Sequence, residues 1–384
     1  MKVFFGARLF DGERFLDDRA LVVEDGAIRH LVDVRERPRG GEQIDLGGGV
    51  LSPGFVDWQV NGGGGALFNA DPTVRCIAEI AAAHRREGTT AFLPTVFTDA
   101  PDVLASALTA ARKARGIVPG ALGVHVEGPF IDMRRKGAHP PEWIRPMREA
   151  DAEALIAMRA GVMAVTLAPA SVPHDLIGRL AQSGIIVSLG HSEATAEEAL
   201  AVFDAGARAV THLYNAMSQL SSRAPGVVGA ALADPRVVCG LIADGEHAHA
   251  AAYRVAIAAK GTHGVALVSD AMPPAAGGPD VFELHGKRVK RVGNKLVDDF
   301  GTLSGAAITM KDAVRYVTDV LGLPLADALT MASLTPARLL GFEDRGRLAP
   351  DCRADLVHLT GGLDAANVWV GGRRAEEIDA RTSQ

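Results

Sequence analysis

Eight short apolar runs recur between residues 54 and 270, and stretches with helical periodicity separate most of them. Continuous apolar runs of this length are typical of parallel strands that are buried on both faces. The runs are GFVDWQV (54–60), TTAFLPTV (89–96), ALGVHVEG (121–128), GVMAVTLAP (161–169), GIIVSLGH (184–191), ARAVTHL (207–213), VVCGLIAD (237–244) and HGVALVSD (263–270). Eight βα units in series predict an α/β fold, namely a (β/α)8 TIM-like barrel.

Both ends of the chain have a different, β-rich character. Residues 1–52 alternate and turn often, and they contain the hairpin dipeptides Asp11-Gly12 and Asp25-Gly26. Residues 351–377 have the same character, and chain ends often lie close together. We therefore expect residues 1–52 and 345–384 to form one small β-sandwich domain, and residues 53–344 to form the barrel.

The segment after the last apolar run departs from the βα pattern. A Pro/Gly-rich stretch at 272–280 is followed by an alternating stretch at 282–299, which predicts a hairpin over the mouth of the barrel. Helical periodicity then predicts helices at about 306–322 and 324–341.

Charge and composition exclude several classes of protein. The net charge of −6 argues against a nucleic-acid partner. No window reaches the roughly 18 uninterrupted apolar residues of a membrane span, and the first residues do not have the pattern of a signal peptide. Three cysteines without a CxxC pattern indicate neither disulfides nor a zinc cluster. We expect a soluble cytoplasmic protein with no nucleic-acid and no membrane partner.

Four ionisable residues lie at or just past the ends of predicted barrel strands: Glu127, His191, His212 and Asp270. In this fold the strand ends form the active site. One carboxylate and two imidazoles can hold a metal with an open position, and a second carboxylate can move protons. Each residue alone suits a structural role, such as a cap for the aspartate, but together they predict hydrolysis with a metal-activated water.

Several segments carry a resemblance to a known family. They are PGFVD (53–57), HVEGPF (125–130), GHSEAT (190–195), THLYNAM (211–217), SDAM (269–272) and RADLVHL (353–359). In this order they resemble the amidohydrolase superfamily, and within it the N-acetylglucosamine-6-phosphate deacetylase family. The likeness extends over nearly the whole chain, including the terminal β-rich segments.

The resemblance implies a reaction and a role for each matching residue. Glu127, His191 and His212 would hold the metal, Asp270 would act as general base and then acid, and His139 would polarise the acetyl carbonyl. The implied substrate contacts are Ala138, His139, Asn215, Ala216, Arg223, His247, Leu303 and Ser304. The implied partner is a small phosphorylated amino sugar, the implied reaction is deacetylation of N-acetyl-D-glucosamine 6-phosphate, and the implied assembly is a homodimer.

One departure from many amidohydrolases concerns the number of metals. Where they carry His-x-His after the first strand, this chain has Gln59 and Asn61, whose amides are poor ligands for a transition metal. We therefore expect one divalent metal per subunit, with zinc first and iron, manganese or cobalt as alternatives.

Three other functions remain open at this point. The same chemistry could act on N-acetylgalactosamine 6-phosphate or another N-acyl compound. A deaminase or cyclic amidase is disfavoured because the His-x-His pair is missing while KGAH (136–139) and Arg223 suit a phosphorylated sugar. A non-catalytic scaffold is disfavoured because all four candidate catalytic residues are present.

Overall fold

Eight parallel strands form the central sheet of the computed structural model, which describes residues 1–159 and 161–382. Each strand pairs with the next along the chain, and a bridge between Val60 and Ala271 joins the last strand to the first. In chain order, the first to the eighth barrel strands are Phe55–Val60, Thr89–Phe97, Gly123–Glu127, Val162–Leu167, Ile186–Leu189, Ala209–Val210, Val238–Ile242 and Val265–Val268. The predicted (β/α)8 barrel is confirmed.

Helices follow the barrel strands and cover them on the outside. They are Val74–Arg86, Pro101–Ala114, Glu149–Met158, His174–Gln182, Ala196–Asp204, Gly226–Ala233, Ala250–Lys260 and Met310–Asp319. Short 3-10 turns lie at Val34–Glu36, Met133–Arg135, Pro141–Trp143, Thr262–Gly264 and Ala275–Gly277. The fifth of the main helices begins with a reciprocal cap, in which Thr195 and Glu198 each bond the other's backbone N–H.

The predicted helix at about 324–341 is instead two helices, Leu325–Ala332 and Leu334–Leu339, with Ser333 between them. Pro336 explains the break, because a proline cannot donate a hydrogen bond to the carbonyl four residues before it and its ring crowds that carbonyl. The Ser333 hydroxyl donates to the Leu329 carbonyl at 2.6 Å, which satisfies one of the carbonyls at the end of the first helix.

A four-stranded antiparallel sheet stands between the eighth barrel strand and the helix that follows it. Its strands are Val281–Leu284, Lys287–Val292, Lys295–Asp298 and Leu303–Ala306. A smaller hairpin, Gly62–Gly63 with Ala66–Leu67, follows the first barrel strand. Leu67, Phe97, Leu284 and Leu296 pack together in one buried cluster. The predicted hairpin over the barrel mouth is therefore a larger sheet that packs against the ends of the barrel strands.

Strands from both ends of the chain form two further sheets. The four-stranded sheet contains Ala27–Asp33, Arg19–Glu24, Lys2–Phe5 and Glu42–Asp45 in that order. The six-stranded sheet contains Arg373–Arg374, Ala365–Val370, Leu356–Leu359, Val50–Pro53, Arg8–Phe10 and Phe15–Leu16. Phe4 of the first sheet meets Trp369 of the second edge to face at 5.0 Å, so apolar side chains from both ends of the chain hold this sandwich together.

A C-terminal helix, Ala375–Thr382, ties the sandwich to the barrel through an ion pair between Asp379 and Arg85. The exact domain limits, 1–52 and 345–384 against 53–344, stay a prediction. Cys76, Cys239 and Cys352 are buried free thiols. Among the described residues, no helix has the length and apolar character needed to cross a membrane.

Candidate active site and metal centre

The four candidate catalytic residues lie together at the carboxyl end of the barrel. Glu127 is the last residue of the third strand, while His191, His212 and Asp270 each stand two residues beyond the fifth, sixth and eighth strands. These three have left-handed backbone conformations, with φ of 46°, 34° and 48°. Such a conformation is uncommon outside glycine, although His and Asp tolerate it better than most residues. The turn ends each strand and leaves a buried polar side chain at the barrel mouth.

Three ligand-type atoms form a nearly equilateral triangle. Glu127 Oε1 lies 3.1 Å from His191 Nε2 and 3.0 Å from His212 Nε2, and the two imidazole nitrogens are 3.1 Å apart. A tetrahedral zinc ion with bonds of about 2.0–2.1 Å would separate its ligand atoms by about 3.3 Å. The triangle therefore has the size of one face of a zinc coordination sphere.

The chemistry of the donors also fits a metal. His191 Nδ1 lies 2.9 Å from the Arg135 carbonyl, which can only accept, so Nδ1 carries the proton and Nε2 has a free lone pair. Burial alone would raise the pKa of Glu127, but the adjacent His191 and His212 rings bring that pKa well below its usual value. Burial alone would lower the pKa of His212, yet its bond to Glu127 raises it. A dication would replace the proton that these groups share.

A second triad overlaps the first. Glu127, His139 and His191 each place a possible ligand atom within 4.8 Å of the others. Together with His212, four side chains are therefore close enough to ligate one metal ion. A catalytic site with an open position needs only three of them. Burial, reinforced by the neighbouring His191, holds the pKa of His139 well below its ordinary value, so this imidazole is neutral.

Amide side chains occupy the place where a second metal would require ligands. Asn61 Nδ2 donates to Asp270 Oδ1 at 2.7 Å, and Gln59 Nε2 donates to the same oxygen at 3.1 Å. Gln59 also donates to Glu127 Oε2 at 3.3 Å. These NH₂ groups point protons at both carboxylates, so they offset part of the negative charge there. The number of metal ions bound per chain stays a prediction.

Asp270 has the environment of a general base. It is buried, and burial, together with the nearby charge of Glu127, raises its pKa to about 6. The hydrogen bond that the Asn61 amide donates to Asp270 lowers this pKa. A carboxylate whose pKa lies near neutrality can both accept and return a proton during one reaction cycle.

A buried carboxyl that the sequence did not single out lies below this site. Asp57, on the first barrel strand, receives hydrogen bonds from the hydroxyl and the N–H of Ser269, which precedes Asp270. Burial raises the pKa of Asp57 to about 7. The contact joins the first and eighth strands directly beneath Gln59 and Asp270.

A hydrogen-bonded polar layer fills the barrel interior beneath the triangle. His125, two residues before Glu127, contacts Thr95 and Thr166 at 3.1 and 2.7 Å. Thr166 continues to Thr211 at 2.6 Å. All are fully buried, and burial lowers the pKa of His125 to about 4, so the layer carries a neutral imidazole at neutral pH.

A cavity of about 390 Å³ opens above the triangle. It brings together the four catalytic candidates and most of the predicted substrate contacts. Those that line it are Ala138, His139, Asn215, Ala216, His247, Leu303 and Ser304. The last two come from the fourth strand of the sheet over the mouth, so this sheet closes one side of the cavity.

Two predicted phosphate contacts differ in position. His247 lines the cavity and its Nδ1 lies 2.6 Å from Asp244 Oδ2, so Asp244 orients the ring. Arg223 is exposed and does not line the cavity of its own chain. The single chain therefore places every predicted site residue at the cavity except Arg223, whose role stays a prediction.

Other residues of the cavity wall were missed. They are Asn61, Phe97, Arg134, Arg135, Gly137, Ile242, Met272, Leu284, Thr302 and Gly305. Of these, Asn61 had been considered only as a replaced metal ligand, and Gly137 and Met272 only as members of the KGAH and SDAM segments. The basic pair Arg134-Arg135 stands directly before the KGAH segment, and this adjacency was a usable signal. Phe97 had none, because an apolar residue at a strand end is common in any barrel.

Comparisons with known proteins agree with this geometry. An N-acetylgalactosamine-6-phosphate deacetylase of Shewanella sp. is 40% identical over 375 residues, covering 97% of this chain and 95% of that protein. An N-acetylglucosamine-6-phosphate deacetylase of Haemophilus influenzae is 34% identical over 366 residues, covering 94% and 96%. The crystal structure of N-acetylglucosamine-6-phosphate deacetylase from Pasteurella multocida superposes with a TM-score of 0.94 at 34% identity, covering 97% and 99%.

The family assignment follows from the sequence and the architecture together. Residues 50–379 match the model of the Amidohydrolase family, and this range contains the whole barrel, its metal-ligand triangle and Asp270. With a barrel, a carboxylate–histidine centre and relatives matched along nearly their full length, the chain belongs to the amidohydrolase family.

Proposed function

We propose that this protein hydrolyses N-acetyl-D-glucosamine 6-phosphate to D-glucosamine 6-phosphate and acetate, as a step of amino-sugar metabolism. The observation that carries the proposal is the triangle of Glu127, His191 and His212 with Asp270 beside it, at the floor of a cavity of sugar size. The full-length similarity to hexosamine-6-phosphate deacetylases supports the substrate class.

The metal site would hold one divalent ion through Glu127, His191 and His212. Such an ion supplies Lewis-acid chemistry, which polarises an amide carbonyl and makes a water molecule more acidic. We propose zinc, because a carboxylate and two imidazoles with an open position are a common catalytic zinc set. Fe²⁺, Mn²⁺ and Co²⁺ accept similar ligands, so the test includes metal analysis.

The chain's own groups then move the protons. Asp270 would take a proton from the attacking water as its oxygen bonds to the acetyl carbon. It would return that proton to the amine nitrogen as the C–N bond breaks, which releases acetate and the free amine. His139 would donate a hydrogen bond to the carbonyl oxygen while negative charge develops there.

The sugar phosphate would be held away from the reacting bond. We assign His247 to the phosphate, Asn215 and the backbone of Ala216 to the sugar, and Ala138, Leu303 and Ser304 to the surrounding wall. Binding energy from these remote contacts holds the amide in place. Because Arg223 is exposed outside its own cavity, we propose a homodimer in which Arg223 of one subunit completes the phosphate site of the other.

The free, buried cysteines suit a cytoplasmic location.

A second candidate substrate is N-acetylgalactosamine 6-phosphate. It is favoured by one observation, the 40% identity to the Shewanella protein that bears this activity in its name. The two sugars differ only in the configuration of one hydroxyl, so the same metal, base and phosphate contacts would serve either.

The test is acetate release from both phosphorylated sugars and from unphosphorylated N-acetylglucosamine, with metal content measured on the same sample. We expect turnover of N-acetylglucosamine 6-phosphate and one metal per chain. For the unphosphorylated sugar we expect a kcat/KM at least about 100-fold lower, because two contacts to the charged phosphate are lost. A higher kcat/KM for N-acetylgalactosamine 6-phosphate would make that sugar the proposed substrate instead. No acetate from any of the three, with metal bound, would overturn it.

The phosphate assignment is tested separately with Arg223→Ala and a nearby control, Arg208→Ala. Arg208 donates to the Phe203 and Ala207 carbonyls, so its loss affects local structure only. We expect the first variant to raise KM for the phosphorylated sugar while leaving turnover of the unphosphorylated sugar unchanged. An unchanged KM would remove Arg223 from the phosphate site.

A further inference from the structure

Thr98 is a buried residue beside the cavity, one position beyond the second barrel strand. Its hydroxyl oxygen lies 2.7 Å from Nδ1 of His139. A glycine makes room for this contact: Gly128 has φ of +80°, and a Cβ there would lie 2.1 Å from Thr98 Oγ1. The Thr98–His139 contact is therefore built into the backbone around it.

Two imidazoles at the site are held through the same ring atom but by different partners. His191 Nδ1 faces the Arg135 carbonyl at 2.9 Å, and His139 Nδ1 faces the Thr98 hydroxyl at 2.7 Å. A carbonyl can only accept a hydrogen bond, whereas a hydroxyl can also donate. The carbonyl thus places the His191 proton on Nδ1, whereas the position of the His139 proton depends on where the Thr98 hydroxyl proton points.

The Thr98 hydroxyl has one proton and two possible acceptors. His139 Nδ1 is at 2.7 Å, while the Glu127 carbonyl oxygen is at 3.5 Å. Hydrogen bonds between oxygen donors and their acceptors are normally about 2.5–3.0 Å long. If Nδ1 donated instead, the hydroxyl proton would have only the Glu127 carbonyl at 3.5 Å, which is beyond this range. Donation from the hydroxyl to Nδ1 uses that proton in the short contact, which makes Nδ1 an acceptor and leaves the ring proton on Nε2.

We propose that Thr98 is a positioning residue that keeps His139 in the Nε2–H tautomer. A protonated Nε2 cannot ligate a metal but can donate a hydrogen bond to an oxyanion. His139 is then a hydrogen-bond donor to the substrate. The three metal ligands are Glu127, His191 and His212. The inference rests on the proposed function for the oxyanion role alone; the tautomer does not depend on it.

The direct test uses the zinc-loaded protein labelled with ¹⁵N at histidine. The nitrogen spectrum separates the Nε2–H tautomer from the Nδ1–H tautomer, and His139→Asn identifies the His139 signal. We expect His139 as Nε2–H and His191 as Nδ1–H. A His139 signal with the proton on Nδ1 or a metal-bound Nε2 would overturn the proposal. This result does not require turnover, so it stands even if no sugar proves to be a substrate.

The kinetic test compares Thr98→Val, Thr98→Ser and Thr89→Val. Valine keeps the shape of threonine and removes the hydroxyl, serine keeps the hydroxyl, and Thr89 is a buried threonine at the start of the same strand whose hydroxyl has no partner among the described residues. We expect Thr98→Val to lower kcat roughly tenfold, the value of one well-placed hydrogen bond, with KM within about twofold and one zinc per chain.

Thr98→Ser should recover kcat to within about threefold, and Thr89→Val should not change it. An undiminished kcat in Thr98→Val, or no recovery in Thr98→Ser, would overturn the positioning role. Loss of zinc from Thr98→Val would show that His139 is a ligand, which would also overturn it.

Discussion

The amide of Asn61 should set the pH at which the enzyme becomes active. It donates to Asp270 Oδ1 at 2.7 Å. This bond opposes burial and the charge of Glu127, and the net result of all these effects is a pKa raised to about 6. Asn61→Leu keeps a similar volume and removes the donor. A hydrogen bond to a charged group contributes roughly 1.5–3 kcal/mol, and each pKa unit corresponds to about 1.4 kcal/mol. The pKa of Asp270 should therefore rise by roughly 1–2 units.

The sign of the effect follows from the role of Asp270. It acts as a base, so activity is lost as the pH falls through its pKa; a higher pKa moves this acidic limb of the kcat/KM profile to higher pH. At pH 6.5 we expect kcat/KM to fall roughly tenfold, while the two profiles approach each other above about pH 9. A bound dication lowers the pKa in both proteins, so the displacement between profiles is the quantity to compare.

The assay is acetate release between pH 5 and 10, with Asn69→Leu as the control. Asn69 is a second buried asparagine, whose amide bonds the Phe97 carbonyl and N–H away from Asp270. This control should destabilise the protein without moving the acidic limb. Superimposed limbs for wild type and Asn61→Leu, or a shift to lower pH, would refute the assigned contact between Asn61 and the base.

Three further outcomes are expected. Asp270→Asn should lower kcat by about 10²–10⁴-fold with metal content unchanged; wild-type turnover would remove Asp270 from the chemistry. Glu127→Gln should reduce bound metal after dialysis to well under one per chain, because the shared anionic ligand is lost; full retention would mean that other groups hold the ion. Trp369→Ala should cost about 3–5 kcal/mol of unfolding free energy in urea, because the ring is fully buried against Phe4; a loss below about 1 kcal/mol would contradict its place in the sandwich core.

The fold was predictable because parallel barrel strands leave a distinct pattern. Because these strands are buried on both faces, they appear as continuous apolar runs. Seven of the eight runs contain the whole observed strand, and the second strand extends one residue beyond its run, to Phe97. The break at Ser333 was missed because helical periodicity continues through it. The deciding fact was the backbone chemistry of Pro336, which an apolar pattern does not record.

The site was predictable where a residue's place on a strand determined its position. Glu127, His191, His212 and Asp270 follow strands, and parallel strands bring their ends together. Residues on long connections were harder to place: Arg223 lies in a loop, and that loop leaves it exposed on its own chain. Likewise, the contact between Thr98 and His139 depends on the turn at Gly128, which no pattern of side chains reveals.

Buried polar pairs between strands that are distant along the chain could not be predicted from the sequence either. Asp57 belongs to a recognisable segment, PGFVD, but its partner Ser269 lies 212 positions away. Only closure of the barrel between its first and eighth strands brings them together.

A metal titration would decide whether the site is a hydrolase centre with a single metal ion. Protein stripped with a chelator would be reloaded with zinc in fractions of an equivalent, and bound metal and acetate release would be measured at each point. We expect activity near zero at the start and a linear rise that ends at one zinc per chain. Activity that persists without metal, or that continues to rise to two per chain, would contradict it.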